Sequence, residues 1–442
     1  GSRWADMDQA GRLSPMSSQP ATRPRILIVG AGFGGINAAR RLASVPADIV
    51  LFDRTNHHLF QPLLYQVATA ALAPTDIASP IRSMFAGQAN VEVQIGEIDG
   101  VDPTARTVSV RGIGPVRYDY LILATGSEAS WFGHDDWRAH STGLKSLPDA
   151  TRIRERLLAA FEWAEREADA AEIARLLTFV VVGGGASGVE LAGSIRELAD
   201  ATLRRDFRRI KPAEARVLLY EGGPVLLAGF PDALSRYARA RLERMRVEVH
   251  TGASVEAVDA AGVMVAGQRI ESANVFWCAG VAATPVASWL GVEAGKHGAV
   301  PVEADCSVPG HPEVFAIGDI AAMTGAGGKP LPGVAPVAEQ QGRYVADLIA
   351  ARIAGRAAGE KFRYRDQGSL AVIGRSAAVA SLPWAKLTGF VAWVMWGGVH
   401  LFLLNGLRNR LLVYVQWIWA WITYSRGARL IEGEPPAEER AS

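Results

Sequence analysis

Two glycine clusters, each followed at a distance by a carboxylate, are the residues of this chain best suited to chemistry. The first is Gly30-Ala31-Gly32-Phe33-Gly34-Gly35, with Asp53 lying 23 positions beyond Gly30. The second is Gly183-Gly184-Gly185-Ala186-Ser187-Gly188, with Glu221 lying 38 positions beyond Gly183. In each pattern the first glycine permits a sharp turn and the second lets a pyrophosphate approach the backbone. The third lets a helix pack close to a strand. The helix that follows offers free N–H groups and a partial positive charge to phosphates. The acid can accept hydrogen bonds from a ribose. A lone cluster of this kind is weak evidence. Here each follows an apolar run (26–29 and 179–182) and precedes a helix-like segment. A second apolar run then leads directly into the acid (49–52 and 217–220). Strand, turn, helix, strand and carboxylate stand in order twice, which predicts two dinucleotide sites.

The elements around the clusters narrow the ligands. Glu221 favours a free 2′-hydroxyl, and residues 222–230 contain no Arg or Lys to receive a 2′-phosphate, so the second site suits NADH rather than NADPH. The 38-position gap holds an extra charged stretch, TLRRDFRRIKPAEA, read as a solvated extension of helix and loop. The run 275–277 ends at Cys278-Ala279-Gly280 and closes the second unit. Two further small turns, Ala124-Thr125-Gly126 and Gly318-Asp319, follow apolar runs. Both turns return to the first unit, which predicts a discontinuous first domain. Two modules in one chain place two redox cofactors face to face, as hydride transfer between them requires. Glu190 lies two residues past the second cluster. It reads either as a helix-dipole partner in the first turn or as a carboxylate directed at the reacting rings.

Several long stretches besides the glycine loops resemble one family. DRTNHHLFQPLLYQVA (53–68), SWFGHDDWRAHSTGLKSLPDA (130–150), the GVELAG around Glu190, GLRNRLLV and RGARLI all look like the corresponding parts of bacterial type II NADH dehydrogenases. The resemblance runs over residues 24–433. It implies an α/β chain of two Rossmann-like dinucleotide-binding domains, the two-dinucleotide-binding flavoprotein fold, with C-terminal membrane-associating helices. It further implies non-covalent FAD in the first domain, held at Gly30, Gly32, Phe33, Gly34, Gly35, Asp53, Arg54, Ala124, Thr125, Gly126, Gly318, Asp319 and Ala338. NADH is expected at Gly183, Gly185, Ala186, Ser187, Gly188, Glu190, Glu221, Ala279 and Gly280. Hydride would pass from NADH to FAD and two electrons from there to a membrane quinone, with Glu190 catalytic. In many members the place of 335–340 reads AQxAxQ with glutamines on the quinone. Here Pro336 replaces the first, Gln340 keeps its place, and Gln341 is an added candidate. Gln367 stands where many members have Lys and takes a weaker quinone-side role. Cys278 stands where the family usually has Thr and is assigned no chemistry.

Composition sets the outer bounds. The chain has 442 residues, 49% of them hydrophobic and 21% charged, and a net charge of +1, so nothing points to nucleic acid. Its two cysteines, Cys278 and Cys306, have no paired spacing, which speaks against a disulfide framework, a zinc site or a dithiol centre. The pair His57-His58 lacks a third ligand nearby, so no metal is expected. Residues 1–23 and 434–442 read as flexible tails, with no apolar secretory segment at the start. Domain boundaries are expected at 24–140 and 291–360 for FAD, 141–290 for NADH and 361–433 for membrane association. Residues 387–407 are 21 residues without Asp, Glu, Lys or Arg, and a second apolar run, 411–424, contains three Trp. Asn409, Gln416 and Thr423 form a thin polar stripe along it. Three readings compete for these runs: helices lying in the membrane interface, one spanning helix, and a core or dimer contact. The resemblance favours the first, on anionic lipid headgroups at the cytoplasmic face of a bacterial inner membrane, in a homodimer that pumps no protons. A soluble NADH-dependent reductase of a protein carrier and a non-catalytic FAD-binding membrane sensor remain open alternatives. A sulfide:quinone oxidoreductase would need paired catalytic cysteines.

Overall fold

The computed structural model describes residues 23–325, 328–357, 359–423 and 426–431; the expected tails, apart from Arg23, lie outside them. Two parallel sheets form the frame. The first has the strand order Ser307–Val308, His311–Ala316, Tyr120–Leu123, Arg25–Val29, Asp48–Asp53, Val91–Ile95, antiparallel only at its Ser307–Val308 edge. The second has the order Thr142–Gly143, Asn274–Trp277, Thr178–Val182, Arg216–Glu221, Val247–Thr251 and is parallel throughout. The central strands are continuous apolar runs because helices and smaller layers bury both their faces. Each sheet carries the same accessory piece, a three-stranded antiparallel layer built from residues 98–117 in one half and 255–271 in the other. The architecture is thus one plan used twice, as the repeated clusters predict.

Register decides where the chemistry emerges. Val29 pairs with Phe52 and with Leu123, so Gly30, Asp53 and Ala124 leave the first sheet at one level. Val182 pairs with Tyr220 and Trp277, so Gly183, Glu221 and Cys278 do the same in the second. Ligands in open parallel sheets bind beyond these carboxyl ends. The two halves are then joined by a short antiparallel pair, Ser127–Ala129 against Val281–Ala283. The stretch 130–150 packs on the second half. Trp131 and Trp137 are buried against Trp277 and help cover the second sheet.

The C-terminal region holds three antiparallel strands, Ser369–Val372, Ala378–Ser381 and Lys386–Thr388, and two helices, Gly389–Leu403 and Leu407–Thr423. The apolar run 387–407 is therefore not one 21-residue helix. It begins as a strand, forms a helix of 15 residues, and breaks at Gly406, whose φ is +84°. At 1.5 Å per residue such a helix reaches about 22 Å, short of a hydrocarbon core about 30 Å thick. Among the described residues no helix is long and apolar enough to cross a membrane, and the spanning reading falls. The hairpin has one face buried against the protein and one apolar face exposed. Ala392, Trp396, Leu404 and Val413 are buried in the same core as the second sheet and its helices. Phe390, Val394, Phe402, Leu411, Val415, Trp419 and Ile422 stay exposed. The polar stripe points inward at first: Asn409 is buried, and the Oε1 of Gln416 is buried with no partner among the described residues.

Candidate active site

Each glycine loop shows the division of labour expected of it. A Cβ on Gly30, whose φ is +101°, would stand 2.3 Å from the carbonyl oxygen of Ala124. One on Gly35 would stand 1.9 Å from the oxygen of Gly30. The second cluster repeats this: a Cβ on Gly183 would meet the Cys278 carbonyl carbon at 2.5 Å, and one on Gly188 the oxygen of Gly183 at 1.8 Å. The middle glycines differ. A Cβ on Gly32 or Gly185 would meet nothing of the protein within 4 Å. These positions border open space at the N-termini of the Phe33–Arg41 and Ala186–Glu197 helices. Neither helix has a side-chain cap or an acid in its first turn, so the N–H groups are left for a ligand. Gly34 is held for packing, since a Cβ there would stand 2.9 Å from Cδ1 of Ile317; Gly342 packs on it in turn, where a Cβ would stand 2.3 Å from the Gly34 oxygen.

The two acids are fastened to their own loops. Asp53 accepts from the N–H of Ala31 at 2.7 Å with one oxygen and from Thr55 N–H and Oγ1 with the other. Glu221 accepts from the N–H of Gly184 and of Gly223, both at 2.6 Å. A carboxylate has about four acceptor positions. Both acids therefore keep capacity for a ribose hydroxyl while holding the turn in shape. Arg54 is paired with Glu128 at 2.6 Å and spans from the first sheet to the joining strands.

Further along the first site, Gly318 has φ +73° and its N–H donates to Oε1 of Gln341 at 2.7 Å. Asp319 accepts from Ser127 Oγ at 2.5 Å and lies 3.3 Å from Lys145 Nζ, both through Oδ2. Its Oδ1 stays available beside Gly333. Ala338 fits between Gly34 and Gly318. Thr125 and Thr284 share a hydroxyl contact of 2.5 Å, Thr284 N–H donates to Gly126 O, and Ser130 N–H donates to Gly280 O. The Thr125-Gly126 turn of one half and the Ala279-Gly280 turn of the other are thereby neighbours. An acceptor oxygen at Asp319, two open glycine cradles and two helix N-termini fit one long dinucleotide per half.

Glu190 does not act as a helix-dipole partner. The helix begins at Ala186, so Glu190 is its fifth residue, beyond the first turn. It is buried, and its Oε1 accepts from the N–H of Val372 at 3.2 Å, in the C-terminal layer. Burial pushes its carboxyl up to about 8, so it holds a proton at neutral pH. Tyr65 and Cys278 lie close enough for the charge on Glu190 to raise both further. Cys278 is partly covered as a residue, yet its thiol is pushed by burial to about 12 and stays protonated.

The glutamines are distributed differently from one another. Gln340 exchanges two hydrogen bonds of 2.9 Å with the backbone of Arg365, which fixes the entry to the C-terminal layer. Gln367 is exposed nearby. Gln341 is buried inside the first domain, bonded to Gly318 and set 3.7 Å from the sulfur of Met323. Its polar atoms support the Gly318 turn rather than face the C-terminal layer.

Four contributors escape a reading of the sequence. His58 is buried, its ring edge-on to Phe33, with Nδ1 2.9 Å from the carbonyl oxygen of Ala31. Burial lowers its pKa, and it steadies the first glycine loop as a neutral imidazole; the His57-His58 pair is a structural piece. Lys145 brings a cation to Asp319. Phe132, at φ +54°, lays its ring within 2.4 Å of a Cβ built on Gly280 and so covers the second site's closing turn. Arg426, in the segment after the last helix, donates to Thr69 O at 2.7 Å and lies 3.5 Å from Glu197 on the Glu190 helix. All four stood inside stretches singled out in the sequence, but none was marked there for the contact it makes, and His58 was paired with the wrong neighbour.

The chain is similar to known proteins. The profile of the pyridine nucleotide-disulphide oxidoreductases matches residues 24–342, and that of the NDH2 C-terminal domain matches residues 367–425. The chain is 42% identical over 425 residues to the type II NADH:quinone oxidoreductase Ndh of Mycobacterium tuberculosis, covering 93% of this chain and 91% of the relative. The chain belongs to the type II NADH:quinone oxidoreductases. It is also 29% identical to the demethylphylloquinone reductase NdbB of Synechocystis, over 90% of this chain and 96% of that one. The fold of NDH2 from Plasmodium falciparum, solved in complex with NADH, superposes with a TM-score of 0.83 at 19% identity, over 92% of this chain and 99% of that one. The sulfide:quinone oxidoreductase of Aquifex aeolicus shares the fold at a TM-score of 0.71 and 17% identity, over 88% and 92%.

Proposed function

We propose that this type II chain is an FAD-dependent NADH:quinone oxidoreductase that transfers electrons without moving protons across the membrane. The observation that carries the reading is the pair of open glycine cradles set in sheets whose closing turns touch, with Glu190 between them and the C-terminal layer. When bound, FAD supplies a centre that accepts a hydride from NADH and returns two electrons to a quinone. The protein's part is to bind, orient and manage protons. The first loop with Asp53, Thr125 and Asp319 holds FAD; the second loop with Glu221 holds NADH. Glu221 places a negative charge where a 2′-phosphate would sit, which supports NADH over NADPH. Reducing a quinone to a quinol consumes two protons, of which NADH brings only one. Glu190 is neutral below about pH 8 and keeps one oxygen beyond its bond to Val372, so it can donate to a quinone oxygen as charge builds there.

Gln340 and Gln367 line the quinone side in this reading, and Gln341 serves the Gly318 turn. The exposed apolar face of the C-terminal hairpin lies in the membrane interface on anionic headgroups, at the cytoplasmic face, in a homodimer. Residues 24–140 with 291–360 form the FAD domain, 141–290 the NADH domain and 361–433 the membrane-associating region. The test is spectroscopic. NADH should bleach the flavin absorption of the purified protein, and a short-chain quinone should restore it. A flavin that NADH leaves oxidised would refute the enzyme. A flavin that is bleached but reoxidised only by a protein carrier would favour the soluble reductase.

A further inference from the structure

The charged insertion between Thr202 and Ala215 plays no part in the sites above. It is absent from the first dinucleotide unit, whose loop-to-acid distance is 23 positions against 38 here. It follows the Glu190 helix through a π-helical turn, Leu198–Thr202, and so sits at the opposite end of that helix from the glycine loop. Twelve residues at 1.5 Å place it about 18 Å or more from the NADH phosphates. Within nine residues, Leu203 to Lys211, it carries four Arg and one Lys against a single acid.

Three features make it a built platform. Phe207 packs on Phe161, and Leu203 and Ile210 are buried, so the stretch is anchored from within. The carboxylate of Glu165 accepts from the backbone N–H groups of Arg208, Arg209 and Ile210, which fixes the loop's path. The side chains left outside are Arg204, Arg205, Arg208, Arg209 and Lys211, all exposed; Lys211 is paired with Glu214 at 3.1 Å and Arg209 lies beside Glu165, so Arg204, Arg205 and Arg208 carry the excess charge. Asp206, the acid among them, is taken by Arg429. That last contact is the telling one. Arg429 follows the C-terminal hairpin, whose final turn sits close by: Trp421 donates to Ser376 Oγ and Arg426 reaches Thr69 and Glu197. The platform therefore continues the edge of the exposed apolar face. At the hairpin's other end Arg408 is exposed, and Arg410 donates to Leu404 O. Cations at both ends suit a hairpin lying flat, since neither end can sink into hydrocarbon.

We propose that the insertion is a second membrane contact, a patch on the NADH domain that binds anionic lipid headgroups beside the hairpin. It rests on the interfacial reading of the hairpin, and it assigns the two elements different jobs. The hairpin supplies apolar insertion on any bilayer; the platform supplies preference for negative surface charge and sets the orientation of the NADH domain over it.

The experiment uses the full FAD-loaded protein with vesicles of phosphatidylcholine alone and with about one third phosphatidylglycerol, at low and high salt. Each cation near an anionic surface contributes about fivefold in partitioning. The wild type should prefer anionic vesicles by at least about tenfold, and salt should remove the preference. The R204Q/R205Q/R208Q/R209Q variant should bind neutral vesicles like the wild type, lose most of the anionic preference, and keep its NADH oxidation with a soluble quinone. A W419S/I422S variant should weaken binding to both vesicle types and keep its remaining anionic preference. A quadruple variant with the full preference overturns the platform and leaves the hairpin standing. A wild type that ignores both vesicle types overturns the hairpin reading itself.

Discussion

Gly30 and Gly185 predict opposite failures although both are loop glycines. Gly30→Ala sets a methyl group 2.3 Å from a backbone oxygen at a φ of +101°, so the first sheet cannot close as built. The expected outcome is poor folding and loss of bound flavin. Gly185→Val adds bulk into space that no protein atom occupies. That variant should fold, stay yellow, and resist bleaching by NADH, with its KM for NADH raised at least about tenfold. A titration of flavin absorbance with NADH distinguishes the two. Glu190 gives a second prediction. Folding raises its pKa from the usual 4.5 to about 8, so between those values the folded state holds a proton that the unfolded chain releases. This group's contribution to stability thus declines as pH rises through that window. Glu190→Gln, which can keep the bond to Val372, should raise the melting temperature at pH 8 more than at pH 5. It should also lower quinone-dependent kcat about a hundredfold while flavin bleaching by NADH persists. In the wild type, kcat should fall as pH passes about 8. Loop glycines and end-of-strand acids were legible because each is a local solution to a local problem. Lys145, Phe132 and His58 were not, since their partners lie 174, 148 and 27 positions away and no spacing rule connects them.

At the scale of elements, the helix Ala186–Glu197 ties the three regions together. Its N-terminus faces the second site, Glu190 bonds the C-terminal layer, and Glu197 meets Arg426. Burial raises the Glu197 carboxyl while Arg426 opposes that rise. Arg426→Ala removes the cation that most opposes the burial of the Glu197 carboxyl and frees Thr69 O. The expected loss is about 2 kcal/mol of stability, measured by thermal unfolding, and larger at pH 8 than at pH 5, where Glu197 can take a proton instead. The parallel strands were readable as apolar runs because both faces are buried. The hairpin was only half readable. Its composition announced apolar surroundings, but whether those were lipid or protein depends on which face packs against the fold, and Trp396 and Val413 show that one does. The break at Gly406 settles what 21 uncharged residues alone could not.

At the scale of the molecule, the hairpin's buried face changes how the proposed membrane binding should be tested. Removing residues 384–442 strips Ala392, Trp396, Leu404 and Val413 out of the core shared with the second sheet. The truncated protein should melt lower and aggregate, whatever its affinity for lipid, as differential scanning calorimetry and light scattering would record. Surface substitutions such as Trp419→Ser leave the inner face in place and test the proposed lipid contact alone.

The first sheet is built from pieces that flank the second. Tyr120–Leu123 must wait for His311–Ala316 to cover its outer edge, whereas the second sheet runs from Thr142 to Thr251 and Trp277 without interruption. On the ribosome, at ~5–20 residues per second, that wait lasts about ten to forty seconds. During it an apolar strand edge is open to wrong partners, and Gly318 and Asp319 have not yet been made. Flavin can be captured only after the NADH-side sheet already exists. The vulnerable period of this protein's life is therefore set by translation speed, and slowing synthesis between residues 124 and 310 should cost yield where slowing it after 320 should not.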